Sequence, residues 1–127
     1  MFERLLERLA SALDSADTPY MVLPCADPAT GIRVDLIFSC SPYEQQALGR
    51  VRTVKLGAAE VQFASVEDLL IHKVVAGRPR DWEDAQSVLA KNPQADLSYV
   101  RHWLGQLSTA LSEPQGERFE QLVTELR

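Results

Sequence analysis

A chain of 127 residues is the size of one domain, and at that length about two-thirds of the unfolded surface is buried, enough for a core without staples. Apolar residues make up 46% and charged residues 24%, close to globular averages, which argues against a disordered or collagen-like chain. The net charge of −5 argues against broad binding to nucleic acid, whose phosphates need a basic face, and no apolar run approaches the roughly 18 residues that cross a bilayer.

The first segment reads as a helix. Phe2, Leu5, Leu6, Leu9 and Leu13 recur at the three-to-four spacing of one buried stripe. Asp14 to Pro19 breaks it. Tyr20 to Leu23 reads as a short strand ending at Pro24, and Ile32 to Phe38 as a second strand. The Gly-containing turn Asp27 to Gly31 between them predicts an antiparallel hairpin. In the second strand Ile32, Val34, Leu36 and Phe38 share one face and Arg33, Asp35 and Ile37 the other.

Ser41-Pro42-Tyr43-Glu44 is a helix start, with a capping Ser, Pro in the first helical position and Glu at the capping-box position. That helix stops near Gly49, and Val51 to Leu56 and Glu60 to Phe63 flank Gly57-Ala58-Ala59 as a second hairpin. Ser65-Val66-Glu67-Asp68 repeats the capping pattern ahead of Leu69 to Val75, and Gly77 ends the helix. A further helix runs from Arg78-Pro79-Arg80-Asp81 through Val88-Leu89 to a stop at Pro93. Asp96 caps a third, carrying Leu97, Val100, Leu104, Leu107 and Leu111. A last helix follows Pro114, with Phe119, Leu122, Val123 and Leu126 as its stripe. The expected class is α+β: a small mixed or antiparallel sheet, a helical C-terminal half and a single domain over residues 1–127.

The start, Met1-Phe2-Glu3-Arg4, has neither the basic opening nor the apolar core of a signal peptide, so the expected location is the cytoplasm. Cys25 and Cys40 would then be reduced structural thiols. With only His72 and His102 and no CxxC, a zinc site is not expected. Both histidines read as partly buried helix residues without a Ser or Cys partner, and Trp82 and Trp103 occupy helix positions suited to core or interface packing.

Two sets of residues carry candidate chemistry. Asp35 is a lone carboxylate in an apolar strand, where it must be paired, hydrogen-bonded, metal-bound or open to water; Arg33 is its nearest sequence partner. Lys73, Arg78 and Arg80 form a local basic cluster on an acidic chain, which is able to meet phosphate. Lys73 interrupts an apolar helix face, so its amine either reaches solvent or meets an anion. Asp81 and Asp84, three apart at a helix start, share one face, and the helix dipole favours them there without any function.

Together, the segments Gly31-Ile32-Arg33-Val34-Asp35-Leu36-Ile37-Phe38, Ser65 to Lys73 and Ala76 to Asp84 resemble the minimal nucleotidyltransferases of the polymerase-β-like superfamily, in particular the AbiEii-type toxin relatives. The resemblance spans about residues 20–110 and rests on the R-V-D-L-I-F strand and the K-x(6)-R-D-x-x-D pattern. It implies a truncated nucleotidyltransferase-like fold, with Asp35 as a metal-site carboxylate and Asp35, Lys73 and Asp81 in the catalytic set. It further implies that Lys73, Arg78, Arg80 and Asp84 face a nucleoside triphosphate, with Mg²⁺ as cofactor.

The chain departs from that family in one decisive respect. It contains no Gly-Gly or Gly-Ser pair and no Asp-x-Asp, the segment that in the family holds triphosphate and metals. Two metals need several converging carboxylates, so Mg²⁺ should bind weakly or not at all in this chain alone. The expectation is a degenerate module that binds nucleotide or a protein partner, with a link to toxin–antitoxin systems. The alternatives are nucleotidyl transfer to a protein or RNA with carboxylates supplied in trans, and a structural remnant with no ligand. Loss of central strands also exposes an edge and an apolar face, which predicts a homodimer built by sheet continuation or by packing of the first helix.

Overall fold

The computed structural model of the chain describes residues 22–37, 39, 41–111 and 115–126. The expected first helix, Tyr20, Met21, Phe38 and Cys40 lie outside the described residues. The chain divides into two compact units, residues 1–41 and residues 42–127.

The first unit contains an antiparallel hairpin of β1 (Val22–Ala26) and β2 (Arg33–Ile37), in register Val22 to Ile37 and Ala26 to Arg33. Its turn is held locally. Asp27 Oδ1 accepts from the Ala29 N–H at 3.2 Å and Oδ2 from the Thr30 hydroxyl at 2.6 Å, while Gly31 takes φ +72°. The strand does not end at Pro24 as its sequence suggests, but continues to Ala26 with Pro24 opposite Asp35. In a two-stranded ribbon alternate N–H groups point away from the partner, and there a proline removes no ladder bond.

The second unit begins with α1 (Pro42–Gly49) and a second hairpin, β3 (Arg52–Leu56) and β4 (Ala59–Phe63). Four helices follow: α2 (Val66–Ala76), α3 (Pro79–Lys91), α4 (Leu97–Leu111) and α5 (Gln115–Leu126). The protein is therefore α+β with a helical C-terminal half. Its described strands form two separate two-stranded antiparallel sheets rather than one. No described helix is long and apolar enough to cross a membrane.

Local signals set the helix ends. Ser65 Oγ accepts from the Asp68 N–H at 3.1 Å to cap α2, and Gly77, at φ +64°, closes it with its N–H on the Lys73 carbonyl at 3.1 Å. Asp96 Oδ1 caps α4 through the Ser98 and Tyr99 N–H groups at 3.0 and 3.1 Å. Helix α2 is the centre of the unit and packs against α3, α4 and α5. Leu70, Ile71 and Val74 of α2 meet Ala85 of α3, Val100 and Leu104 of α4, and Phe119 of α5, all essentially inaccessible to water. The apolar stripes at three-to-four spacing thus find one another.

The β3–β4 hairpin is outside this core, with all ten residues exposed. A two-residue turn, Gly57-Ala58, joins the strands, with Gly57 at φ +62° as a primed hairpin turn requires. The register pairs Arg52 with Phe63, Val54 with Val61 and Leu56 with Ala59 on one face, and Thr53 with Gln62 and Lys55 with Glu60 on the other.

Phe119 is the largest fully buried side chain. Phe119→Ala should lower unfolding stability by about 3–5 kcal/mol. Urea denaturation followed by far-ultraviolet circular dichroism measures it.

Candidate functional site

The K-x(6)-R-D-x-x-D residues come together where α2 turns into α3. Left-handed Gly77 reverses the chain, Pro79 starts α3, and the Trp82 indole N–H donates to the Gly77 carbonyl at 3.1 Å. Lys73, in the last turn of α2, thereby faces the first turns of α3. Its amine donates to Asp84 Oδ2 at 2.7 Å and to Asp81 Oδ1 at 3.2 Å. Arg78 donates through Nε to Asp81 Oδ2 at 2.6 Å. The side chain of Asp81 is 5% exposed and held between the two cations.

The charges are matched two against two. Hydrogen bonds donated to Asp84 first, and to Asp81 second, raise the Lys73 pKa. Asp81 likewise raises that of Arg78. The Arg78 hydrogen bond, assisted by Lys73, outweighs burial and holds the Asp81 carboxyl below the usual carboxylate range. A phosphate reaching this point would compete with carboxylates that already occupy two of the three donors of Lys73. Arg80 is separate from the network: it is exposed, and no described residue pairs with it.

Asp35 belongs to the first unit. Its side chain is 49% exposed and its ion partner is Arg33 at 3.9 Å. Mg²⁺ demands octahedral oxygen ligation. A single half-exposed carboxylate beside a guanidinium does not fit that demand, and no described group of three or more His, Cys, Asp or Glu residues converges on a common point. Among the described residues, Asp35 alone does not make the multi-carboxylate centre that the resemblance implies.

A second polar network, not anticipated from the sequence, is buried at the start of α2. Asp68 is 0% exposed. Its carboxylate accepts from the Ser65 hydroxyl at 2.5 Å and from the Tyr99 hydroxyl at 3.0 Å, and Arg50 Nε lies 3.4 Å from Oδ2. Glu67 accepts from Arg50 Nη2 at 3.2 Å and from the Asp96 N–H at 3.0 Å. The Arg50 guanidinium also stacks over the Tyr99 ring at 4.0 Å. Burial, and then Asp68, push the Tyr99 hydroxyl up to about 12. Burial opposes ionisation of Glu67, but the Asp96 N–H and Arg50 outweigh it and its pKa is lowered. Ser65-x-x-Asp68 was legible as a cap; nothing local marked Arg50 and Tyr99 as partners.

The histidines differ from expectation, for both are exposed. His72 is about 200° around α2 from Leu70, outside the buried arc, and its ring lies 5.6 Å from that of Tyr43. His102 lies edge-on to Trp103 at 5.3 Å. Trp82 is buried, as its position suggests, with Arg118 4.4 Å above its ring. Shallow grooves occur beside Leu89, Pro93 and Val123 and beside Leu104, Gly105 and Phe119, and neither includes a residue of the two ion networks.

No protein-family model, no curated protein and no solved structure matches the chain.

Asp68→Ala should cost about 3 kcal/mol, because the Ser65 and Tyr99 hydroxyls lose their common acceptor and Arg50 loses a buried counter-charge; thermal unfolding tests this. Asp81 supplies a pH signature. Its pKa is lower folded than unfolded, so the unfolded chain binds the extra proton, and the stability it contributes is present above the unfolded value of about 3.9. That contribution disappears as pH falls through the folded value. Asp81→Asn should therefore flatten the acid limb of a stability–pH curve recorded by urea titration, while leaving its slope near neutrality unchanged.

Proposed function

We propose that this chain is a non-catalytic module of nucleotidyltransferase-like ancestry that works by binding another polypeptide. The observation that carries this reading is the closed Lys73–Asp81–Asp84–Arg78 network. Phosphoryl transfer needs cations preorganised for the charge that develops on the transferring group. Here both network cations are compensated by carboxylates of the same chain, at distances a triphosphate would have to match. Asp35 adds one carboxylate where a two-metal reaction needs several, and it is itself matched by Arg33.

In this reading the ancestral residues now serve the fold. Lys73 ties the end of α2 to α3, and Arg78 closes the tie from the connecting segment. A binding surface then has to lie elsewhere. The apolar residues Val54, Leu56, Val61 and Phe63 on one face of the β3–β4 hairpin are the strongest support for one, because they stand in water outside the core.

Calorimetric titration with ATP, GTP, CTP and UTP in the presence of Mg²⁺ or Mn²⁺ should give no saturable heat below millimolar concentration. Micromolar binding that Lys73→Ala abolishes, or metal-dependent transfer of a labelled nucleotide, would overturn the reading in favour of a nucleotide site.

A further inference from the structure

We propose that the polypeptide bound is a second copy of this chain, paired antiparallel along the outer edge of β4; the inference rests on the non-catalytic binding role proposed above. A lone two-stranded hairpin is at best marginally stable in water, and three or more strands sharing an apolar face are needed for independent stability. Hairpin β3–β4 has two strands, an uncovered apolar face and no described strand on either outer edge.

The register decides which edge is usable. In a hairpin closed by a two-residue turn, the flanking pair exchanges backbone hydrogen bonds, here Leu56 with Ala59. The bonded pairs then alternate, so Val54 with Val61 and Arg52 with Phe63 also point their backbone groups inward. The N–H and C=O groups of Thr53 and Lys55 point out of the β3 edge, and those of Glu60 and Gln62 point out of the β4 edge.

Charge separates the two edges. β3 carries Arg52 and Lys55, and edge cations discourage pairing. A two-fold axis at Val54 would also set each Arg52 against Leu56 of the other copy, on the apolar face. β4 carries Glu60 as its one charged residue. A two-fold axis at Val61 sets Glu60 of each copy against Gln62 of the other, so that an amide donates to a carboxylate on both sides of the axis. On the other face Val61 meets its own copy and Phe63 covers the small Ala59. No like charges face each other, and no pair sets a charge against an apolar side chain. The product is a four-stranded sheet in the order β3, β4, β4, β3, with Val54, Leu56, Val61 and Phe63 of both copies on one face.

Light scattering on the full chain, across micromolar concentrations, should give twice the 14.2 kDa chain mass. Gln62→Pro removes an outward N–H without touching the β3 ladder and should weaken self-association at least tenfold, with the helical circular dichroism retained. Thr53→Pro, the equivalent change on the β3 edge, should leave the dimer intact. Independently, Val61→Cys in a Cys25→Ser, Cys40→Ser background should oxidise to a cross-linked dimer, whereas Lys55→Cys in that background should not. This pair of variants decides the matter should Gln62→Pro fail to fold. A monomeric wild type, or dissociation by Thr53→Pro but not by Gln62→Pro, would overturn the β4 dimer. The nucleotide titration is unaffected by either result, so failure of the dimer and failure of the non-catalytic reading are separately visible.

Discussion

A carboxylate withdrawn from water costs several kcal/mol unless donors replace its hydration, and Asp68 is fully withdrawn. Its compensation comes from three parts of the second unit. Ser65 approaches from the cap of α2, Tyr99 from the first turn of α4, and Arg50 from the residue after α1. Its backbone carbonyl accepts from the Tyr43 hydroxyl of α1 at 3.4 Å. The position in the first turn of α2 also places the negative charge where the helix dipole favours it. These directional demands hold α1, α2 and α4 at one point, which apolar contacts alone would leave free to slide.

With the start of α2 held, the rest of the helix has one orientation. Leu70, Ile71 and Val74 turn into the core, His72 turns away from it, and Lys73 comes to face α3 across the Gly77 turn. The two ion networks therefore belong to the two ends of one helix. At the buried end, ionic groups supply direction to the packing. At the half-exposed end they satisfy one another, and this self-compensation weighs against chemistry on a triphosphate more than the absence of any single residue does.

Apolar surface is distributed unevenly between helices and strands. The four helices after β4 bury their stripes against each other, whereas the β3–β4 hairpin keeps Val54, Leu56, Val61 and Phe63 in water. Exposure of that kind carries a hydrophobic cost that association would relieve. The proposed function by contact, with a sheet edge as the proposed contact, would account for both the self-compensated ion network and the exposed hairpin.

What the sequence by itself determined was local. The caps at Ser65 and Asp96, the stop at Gly77, a hairpin turn at Gly57 and the apolar stripes of α4 and α5 depend on neighbours within a few residues, whose geometry is dictated by backbone sterics and short-range hydrogen bonds. The shared face of Asp81 and Asp84, and the requirement that Lys73 find an anion or solvent, were legible for the same reason. Tertiary structure alone decided that the anion is internal, that Asp68 meets Arg50 and Tyr99, that Pro24 sits within a strand, and that the two hairpins remain separate sheets among the described strands. Those outcomes turn on which distant groups must share the cost of burial, and no local pattern encodes that sum.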